Sequence, residues 1–262
     1  MTSDGRETRE IRTDGPVIRV GALRKSFGAQ VVLDGIDLEV RRGEMLTILG
    51  RSGTGKSVLL KLIIGLQKPD AGSIEIGGQG IAALPLDRLN EIRKKLGFLF
   101  QQAALYDSLT VEENVAFPLR RHTALPDSER RARARELLSH VGMERDLEKL
   151  PADISGGMKK RVGLARALAL DPEVVLLDEP TAGLDPITAA EIIQLIQELR
   201  KAHEMSAVVV THDLRSAEAL ADRVVLLNEG HIVVEGTFDE VKDSDDPFVA
   251  AFVKPTFARE HD

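Results

Sequence analysis

An octapeptide, Gly50-Arg51-Ser52-Gly53-Thr54-Gly55-Lys56-Ser57, constrains this chain more than any other stretch. The apolar run Glu44-Met45-Leu46-Thr47-Ile48-Leu49 precedes it and reads as a buried strand. The run from Val58 to Leu66 follows and reads as a buried helix. Strand, glycine-rich turn and a helix opening on Lys-Ser form the pattern of a phosphate-binding loop. The glycines let the backbone curl so that several N–H groups converge on one centre. The helix N-terminus adds partial positive charge there. In this pattern Lys56 reaches the β- and γ-phosphates of a nucleotide, and the Ser57 hydroxyl holds Mg²⁺. The expected nucleotide-binding residues are Gly50 through Val58.

A chain of 262 residues is long enough for one large α/β domain, or for a core carrying an inserted subdomain. The net charge of -7 argues against a general nucleic-acid binder. Absence of cysteine excludes a disulfide framework, a thiolate zinc site and a thiol nucleophile. Residues 1–16 are polar and charged and read as a disordered leader without a signal-peptide core. No run approaches the roughly 18 apolar residues of a membrane helix. Membrane attachment is therefore expected only through a partner.

The order of apolar runs predicts an α/β fold. Val17–Gly21 and Val31–Val40 read as strands, the second broken at Asp34-Gly35 by a turn or bulge. Ser73–Ile76 and Leu96–Phe100 are short strands, with a helix at Leu86–Lys95 between them. From Ala103 to Leu150 the pattern turns helical and charged, with a helix at Ser128–Val141. Its Arg130, Arg131, Arg133 and Arg135 read as a solvated face. Strands at Val174–Leu177, Ala207–Val210 and Val224–Leu227 then alternate with helices at Ile187–Ala202 and Leu214–Ala221. That alternation signals a parallel sheet with flanking helices, interrupted by a helical insertion.

Two further stretches bear chemistry. Val174-Val175-Leu176-Leu177-Asp178-Glu179 is an apolar strand ending in two carboxylates. Ligands of parallel sheets sit at the carboxyl ends of the strands. Asp178 can there meet the Mg²⁺ at Ser57, and Glu179 can orient and deprotonate an attacking water. Ser155-Gly156-Gly157-Met158 opens the helix Lys159–Leu168, and its exposed N–H groups make a second anion site. By itself that motif reads as an ordinary capped helix.

Taken in order, the phosphate loop, Gln101, Ser155-Gly156-Gly157, Asp178-Glu179, Ala182-Gly183-Leu184-Asp185 and His212 resemble the ATP-binding subunit of an ABC transporter. The resemblance spans about residues 17–236. It implies a P-loop NTPase fold: a RecA-like parallel sheet core with an antiparallel β part, plus an inserted α-helical subdomain. The implied ATPase domain covers 17–240, with the core at about 17–102 and 160–240 and the helical subdomain at about 103–159. Residues 241–262 remain as a C-terminal tail. The implied cofactors are ATP and Mg²⁺, the latter held by Ser57, Gln101 and Asp178. Glu179 and His212 are the implied catalytic pair, and Phe27 the aromatic that stacks on adenine. Two copies would pair head to tail, so that Ser155, Gly156, Gly157 and Met158 of one face the phosphate loop of the other. Asp185 would sit at that interface. Gln101 is chosen over Gln102 by the pattern Phe-Gln-x-x-Ala-Leu-aromatic. His212 is chosen over His203 because only His212 follows an apolar strand, and His203 reads as a solvated helix end.

One position departs from the family pattern. Met158 stands where Gln is usual, and a thioether cannot donate a hydrogen bond. That methionine, the following Lys159-Lys160-Arg161-Val162, and Gln101 to Arg120 resemble the Mla/Mce-type lipid-transport ATPases. This branch implies phospholipid transport between inner and outer membranes, from the cytoplasmic side of the inner membrane. It also implies a permease, an MCE-domain protein and a small STAS-domain protein as partners, and no nucleic acid. An amino-acid or other small-solute importer is the alternative. A non-transport ABC ATPase would carry two cassettes or a long coiled-coil insert, and neither is present here. In the tail, Phe248, Phe252 and Phe257 either fold back on the core or dock on the neighbouring ATPase subunit. Folding back is the plainer reading; docking is the hypothesis carried forward, because three such rings are costly to leave wet.

Overall fold

The computed structural model describes residues 15–253. Expectations for residues 1–14 of the leader and for Phe257 lie outside the described residues. Two sheets face each other. The first is antiparallel, with strands β1 (Ile18–Phe27), β2 (Gln30–Val40), β4 (Ala71–Ile76) and β5 (Gln79–Gly80) in the order β2-β1-β4-β5. The second has six strands: β3 (Met45–Leu49), β6 (Leu96–Leu99), β7 (Val174–Asp178), β8 (Ser206–Thr211), β9 (Arg223–Asn228) and β10 (His231–Gly236). Their order is β10-β9-β3-β8-β7-β6, parallel throughout except for β10. The fold is the α/β P-loop architecture expected from the sequence.

Burial explains the sequence pattern of the central strands. β3 lies between β8 and β9, with helices or the other sheet on each face, and all five of its residues are buried. A strand covered on both faces reads as an unbroken apolar run. β10, at the edge, alternates exposed and half-buried residues instead, and only the short run Ile232-Val233-Val234 marks it. The Asp34-Gly35 break is a bulge: Leu23 pairs with Ile36 but Arg24 pairs with Asp34, leaving Gly35 over at φ 72°.

Between β6 and β7 the chain is helical: α3 (Val111–His122), α4 (Asp127–His140), a single 3₁₀ turn, and α5 (Gly156–Ala167). Val115, Leu119, Leu137, Leu138, Val162 and Leu164 pack with Val175 and Leu177 of β7 and Ile192 and Ile196 of α6 (Pro186–His203), forming one continuous core. On the opposite face, Leu59, Leu60 and Ile63 of α1 (Lys56–Ile63) join Ile48 and Val208 to the antiparallel sheet.

Three expectations are corrected. The arginines of α4 are not simply a solvated face. Arg135 and Arg131 pair with the buried carboxylate of Glu112 on α3, and Arg133 pairs with Asp171, so the helix is bolted to its neighbours. His203 is half-buried rather than solvated, its ring 6.1 Å from that of His140, and burial lowers its pKa. The first part of the tail is α9 (Pro247–Val253), which folds back on its own chain: Val249 is fully buried beside Leu49, Leu226 and Val241, with Phe248 and Phe252 packed around it. Asp246 starts this turn back by accepting from the N–H groups of Phe248 and Val249.

Candidate functional site

The loop from 50 to 57 leaves β3 and enters α1 through Gly55, at φ 100°. Gly53 has φ 84°, so both positions need glycine's left-handed freedom. A Cβ at Gly50 would lie 2.6 Å from the Leu227 carbonyl oxygen, which fixes glycine there on steric grounds. Lys56 is buried, and its ammonium donates to the carbonyls of Gly50 at 2.8 Å and Arg51 at 3.0 Å. Glu179 Oε1 lies 3.5 Å away. Burial lowers the lysine pKa, and the Glu179 carboxylate partly offsets this.

Ser57 Oγ donates to Asp178 Oδ1 at 2.7 Å, across the sheet from α1 to the end of β7. Desolvation raises the Asp178 pKa against that hydrogen bond. A hydroxyl and a carboxylate are hard oxygen donors of the kind Mg²⁺ takes, and few protein ligands are the rule for Mg²⁺ beside phosphate. The residues present fit that ion. Among the described residues no group of three or more His, Cys, Asp or Glu side chains could form an all-protein metal cage.

Glu179 follows directly and adopts φ 47°, a strained value for a non-glycine residue. Its carboxylate is almost fully buried and meets three groups. His212 Nδ1 lies 2.9 Å from Oε2, Thr211 Oγ1 donates to the same oxygen at 3.3 Å, and Lys56 approaches the other oxygen. A carboxylate only accepts, so in that pair His212 Nδ1 is the donor. The structure thus brings Lys56, Ser57, Asp178, Glu179 and His212 together.

Ser155 caps α5, accepting from Met158 N at 3.2 Å. Asp185 caps α6, accepting from the N–H groups of Ile187 and Thr188 and from Thr188 Oγ1 at 2.6 Å. The two caps touch through Thr188, since a Cβ on Gly157 would sit 2.5 Å from Thr188 Cγ2. Met158 is half-buried and packs on the helical core, which suits an apolar side chain in place of Gln. Among the described residues no hydrogen bond or ion pair joins the Ser155 helix start to the 50–57 loop. Phe27 ends β1 and is 46% exposed, with Lys25 Nζ 5.2 Å from its ring centre. Gln101 is exposed, and the structure anchors it by its backbone carbonyl.

That anchor is Lys160, which sequence reasoning missed. Lys160 is 4% exposed and donates to Gln101 O at 2.6 Å and to Glu179 O at 2.8 Å. Burial lowers its pKa to about 8 against the pull of Asp178 and Glu179. The run Lys159-Lys160-Arg161 disguises it as surface charge. Helical spacing from 160 to Gly163, Leu164 and Ala167, all buried, was the signal available.

Comparison with known proteins gives the family. The family model described as ABC transporter matches residues 33–182. A "Probable ribonucleotide transport ATP-binding protein mkl" from Mycobacterium leprae (strain TN) is 43% identical over 239 residues, covering 91% of this chain and 69% of that protein. A "Methionine import ATP-binding protein MetN" from Brucella abortus (strain 2308) is 41% identical over 224 residues, covering 86% of this chain and 60% of that protein. Among solved structures, the dimeric post-hydrolysis state of the ATP-binding cassette MJ0796, bound to ADP and Pi, aligns with a TM-score of 0.78 at 36% identity. It covers 84% of this chain and 98% of that one. CbiO1 from Clostridium perfringens aligns with a TM-score of 0.80 at 30% identity, covering 92% of this chain and 96% of that one.

Proposed function

This chain belongs to the ABC transporter family as an ATP-binding subunit, and from that premise we propose that its hydrolysis of ATP powers the transport of lipid, most simply phospholipid, between two membranes. The observation that carries the enzymatic part is the buried Glu179 carboxylate. It stands beside Lys56 of the phosphate loop and is held by His212 and Thr211.

In this reading the loop N–H groups from Gly50 to Val58 and the Lys56 ammonium bind the phosphates, while Phe27 stacks on adenine. Ser57, Asp178 and Gln101 hold Mg²⁺, which when bound neutralises charge on the phosphate oxygens. Glu179 accepts a proton from water as that water attacks the γ-phosphorus, while the bond from that phosphorus to the bridging oxygen breaks and ADP leaves. His212 and Thr211 hold the carboxylate in line. Ser155 and Gly157 of the partner subunit complete the site, and Asp185 lies at the junction. The capped helix start at Ser155 supports that reading, since among the described residues no hydrogen bond or ion pair links it to the phosphate loop. The helical segment at about 103–159 and the segment after Gln101 pass the motion of the dimer to a permease. Among the described residues no helix is long and apolar enough to cross a membrane. That agrees with peripheral binding at the cytoplasmic face of the inner membrane through the permease.

The lipid cargo rests on Met158, the Lys159-Lys160-Arg161-Val162 run that follows it and the Gln101–Arg120 stretch. An MCE-domain protein and a small STAS-domain protein are the partners this branch would bring. A small-solute importer is the second reading, favoured by the methionine-import relatives. Affinity purification from detergent-solubilised membranes, with mass spectrometry of proteins and lipids, separates the two. A permease with an MCE-domain protein and phospholipid supports lipid transport. A permease with a soluble binding protein and no lipid supports the importer.

A further inference from the structure

We propose that Lys160 is a positioning residue for hydrolysis, its ammonium tying the start of α5 to both Gln101 and Glu179. The proposal rests on the assignment of Glu179 as the base. The ammonium is buried and reaches two main-chain carbonyls that lie far apart in sequence, Gln101 O at 2.6 Å and Glu179 O at 2.8 Å. Both belong to backbone that needs outside support. Glu179 sits at φ 47°, and its N–H is held by Val210 O at 2.9 Å. Lys160 grips the other side of the same residue, so the strained peptide is clamped at both its N–H and its carbonyl.

The segment after Gln101 carries the same kind of strain, with Ala103 at φ 59° and Ala104 at φ 48°. Their carbonyls accept from Arg166, also on α5, at 2.5 and 2.8 Å. One helix therefore supplies two cations, each satisfying main-chain oxygens of a left-handed turn. Among the described residues, the side chain hydrogen-bonded to both turns is Lys160. The ammonium lies five residues past Ser155, the cap of the same helix. Any rotation of α5 that follows closure at the Ser155 end moves the carbonyl of Glu179 and the backbone of Gln101 together. An ammonium suits this task because it carries three donors and no acceptor, so it can hold several carbonyls at once. Lys160 touches neither the nucleotide nor the reacting atoms, and acts through Glu179.

The test is steady-state hydrolysis by the full chain purified with its membrane partners, comparing wild type, Lys160→Met, Lys160→Gln and Glu179→Gln, and the double variant Lys160→Met/Glu179→Gln. Lys160→Met should lower kcat by about tenfold or more while the KM for MgATP stays within about twofold. Lys160→Gln, which keeps two N–H donors, should recover part of the rate; it also carries the test should the methionine variant not fold. In the Glu179→Gln background, Lys160→Met should cost nothing further on the residual rate, because the group it positions is already gone. A loss of the same factor in both backgrounds, or a fall in nucleotide affinity matching the fall in kcat, overturns the proposal. A Glu179→Gln protein that keeps most of the wild-type rate instead overturns the assignment of the base, and is read separately.

Discussion

Ser57 Oγ donates to Asp178 Oδ1 at 2.7 Å, so the first residues of α1 and the last of β7 are joined by side chains 121 positions apart. The pair places one hydroxyl and one carboxylate where a phosphate-bound cation needs oxygen donors. Replacing Asp178 by Asn keeps the shape and removes the charge. Activity should fall by about 10- to 100-fold, the usual cost of losing a group that orients a metal ligand. Excess Mg²⁺ should restore part of it. Titrating hydrolysis with Mg²⁺ checks this, and an unchanged Mg²⁺ dependence would remove Asp178 from the ion.

Glu179→Gln should reduce turnover by about 10²- to 10⁴-fold, the range for losing a general base. ATP should still bind, because Lys56 and the loop N–H groups are intact. The amide also releases His212, whose Nδ1 lies 2.9 Å from the carboxylate. Single-turnover hydrolysis alongside equilibrium binding of ATP separates the two effects. Equal losses in binding and in rate would show that Glu179 serves the fold rather than the proton.

How much of this could be read beforehand depended on burial. Strands β3, β7 and β8 are covered on both faces, so their apolar runs stand out, and Asp178 at the end of β7 accepts from Ser57 Oγ while Glu179 faces Lys56 and His212. Strand β10 is an edge strand with one side wet, and its run is cut to Ile232-Val233-Val234 between His231 and Glu235. Lys160 was hidden for a different reason: its neighbours in sequence are charged, while its neighbours in space are carbonyls. The tail showed three phenylalanines but not their partner. Leu49 and Leu226, distant in sequence, join the nearby Val241 in supplying the apolar surface for α9, so its self-packing is visible only in three dimensions.

Gly157 makes the contact between the two helix caps tight enough to test. An added Cβ would sit 2.5 Å from Thr188 Cγ2. Gly157→Ala should cost about 1–3 kcal/mol, as overpacking does, and should weaken ATP-driven dimerisation while single chains bind ATP as before. Thr188→Ser removes the methyl and keeps the hydroxyl that Asp185 accepts at 2.6 Å. The double variant should regain much of the lost stability. Thermal unfolding and size-exclusion chromatography with ATP measure both. Additive losses in the double variant would show that the clash is relieved elsewhere.

Glu44 and Arg223 give a pH prediction away from the nucleotide. Glu44 is buried at the start of β3, and its carboxylate accepts from Arg223 Nε at 2.7 Å and Nη2 at 3.0 Å, and from Arg41 N at 2.7 Å. Burial alone would raise its pKa, but the hydrogen bonds from Arg223 and Arg41 outweigh that and hold it below the ordinary 4.5. A lowered folded-state pKa means stability that is present above the unfolded value and lost as pH falls through the folded one. Glu44→Gln should therefore cost about 3 kcal/mol at pH 7, where it breaks a buried pair and leaves Arg223 with Glu235 and the Glu39 carbonyl. Below the lowered pKa the wild-type carboxyl is itself neutral, and the two proteins should converge. Urea unfolding of both from pH 7 down to pH 3 measures the gap. A gap that stays constant over that range would mean that packing, not the ionised pair, is what the substitution removes.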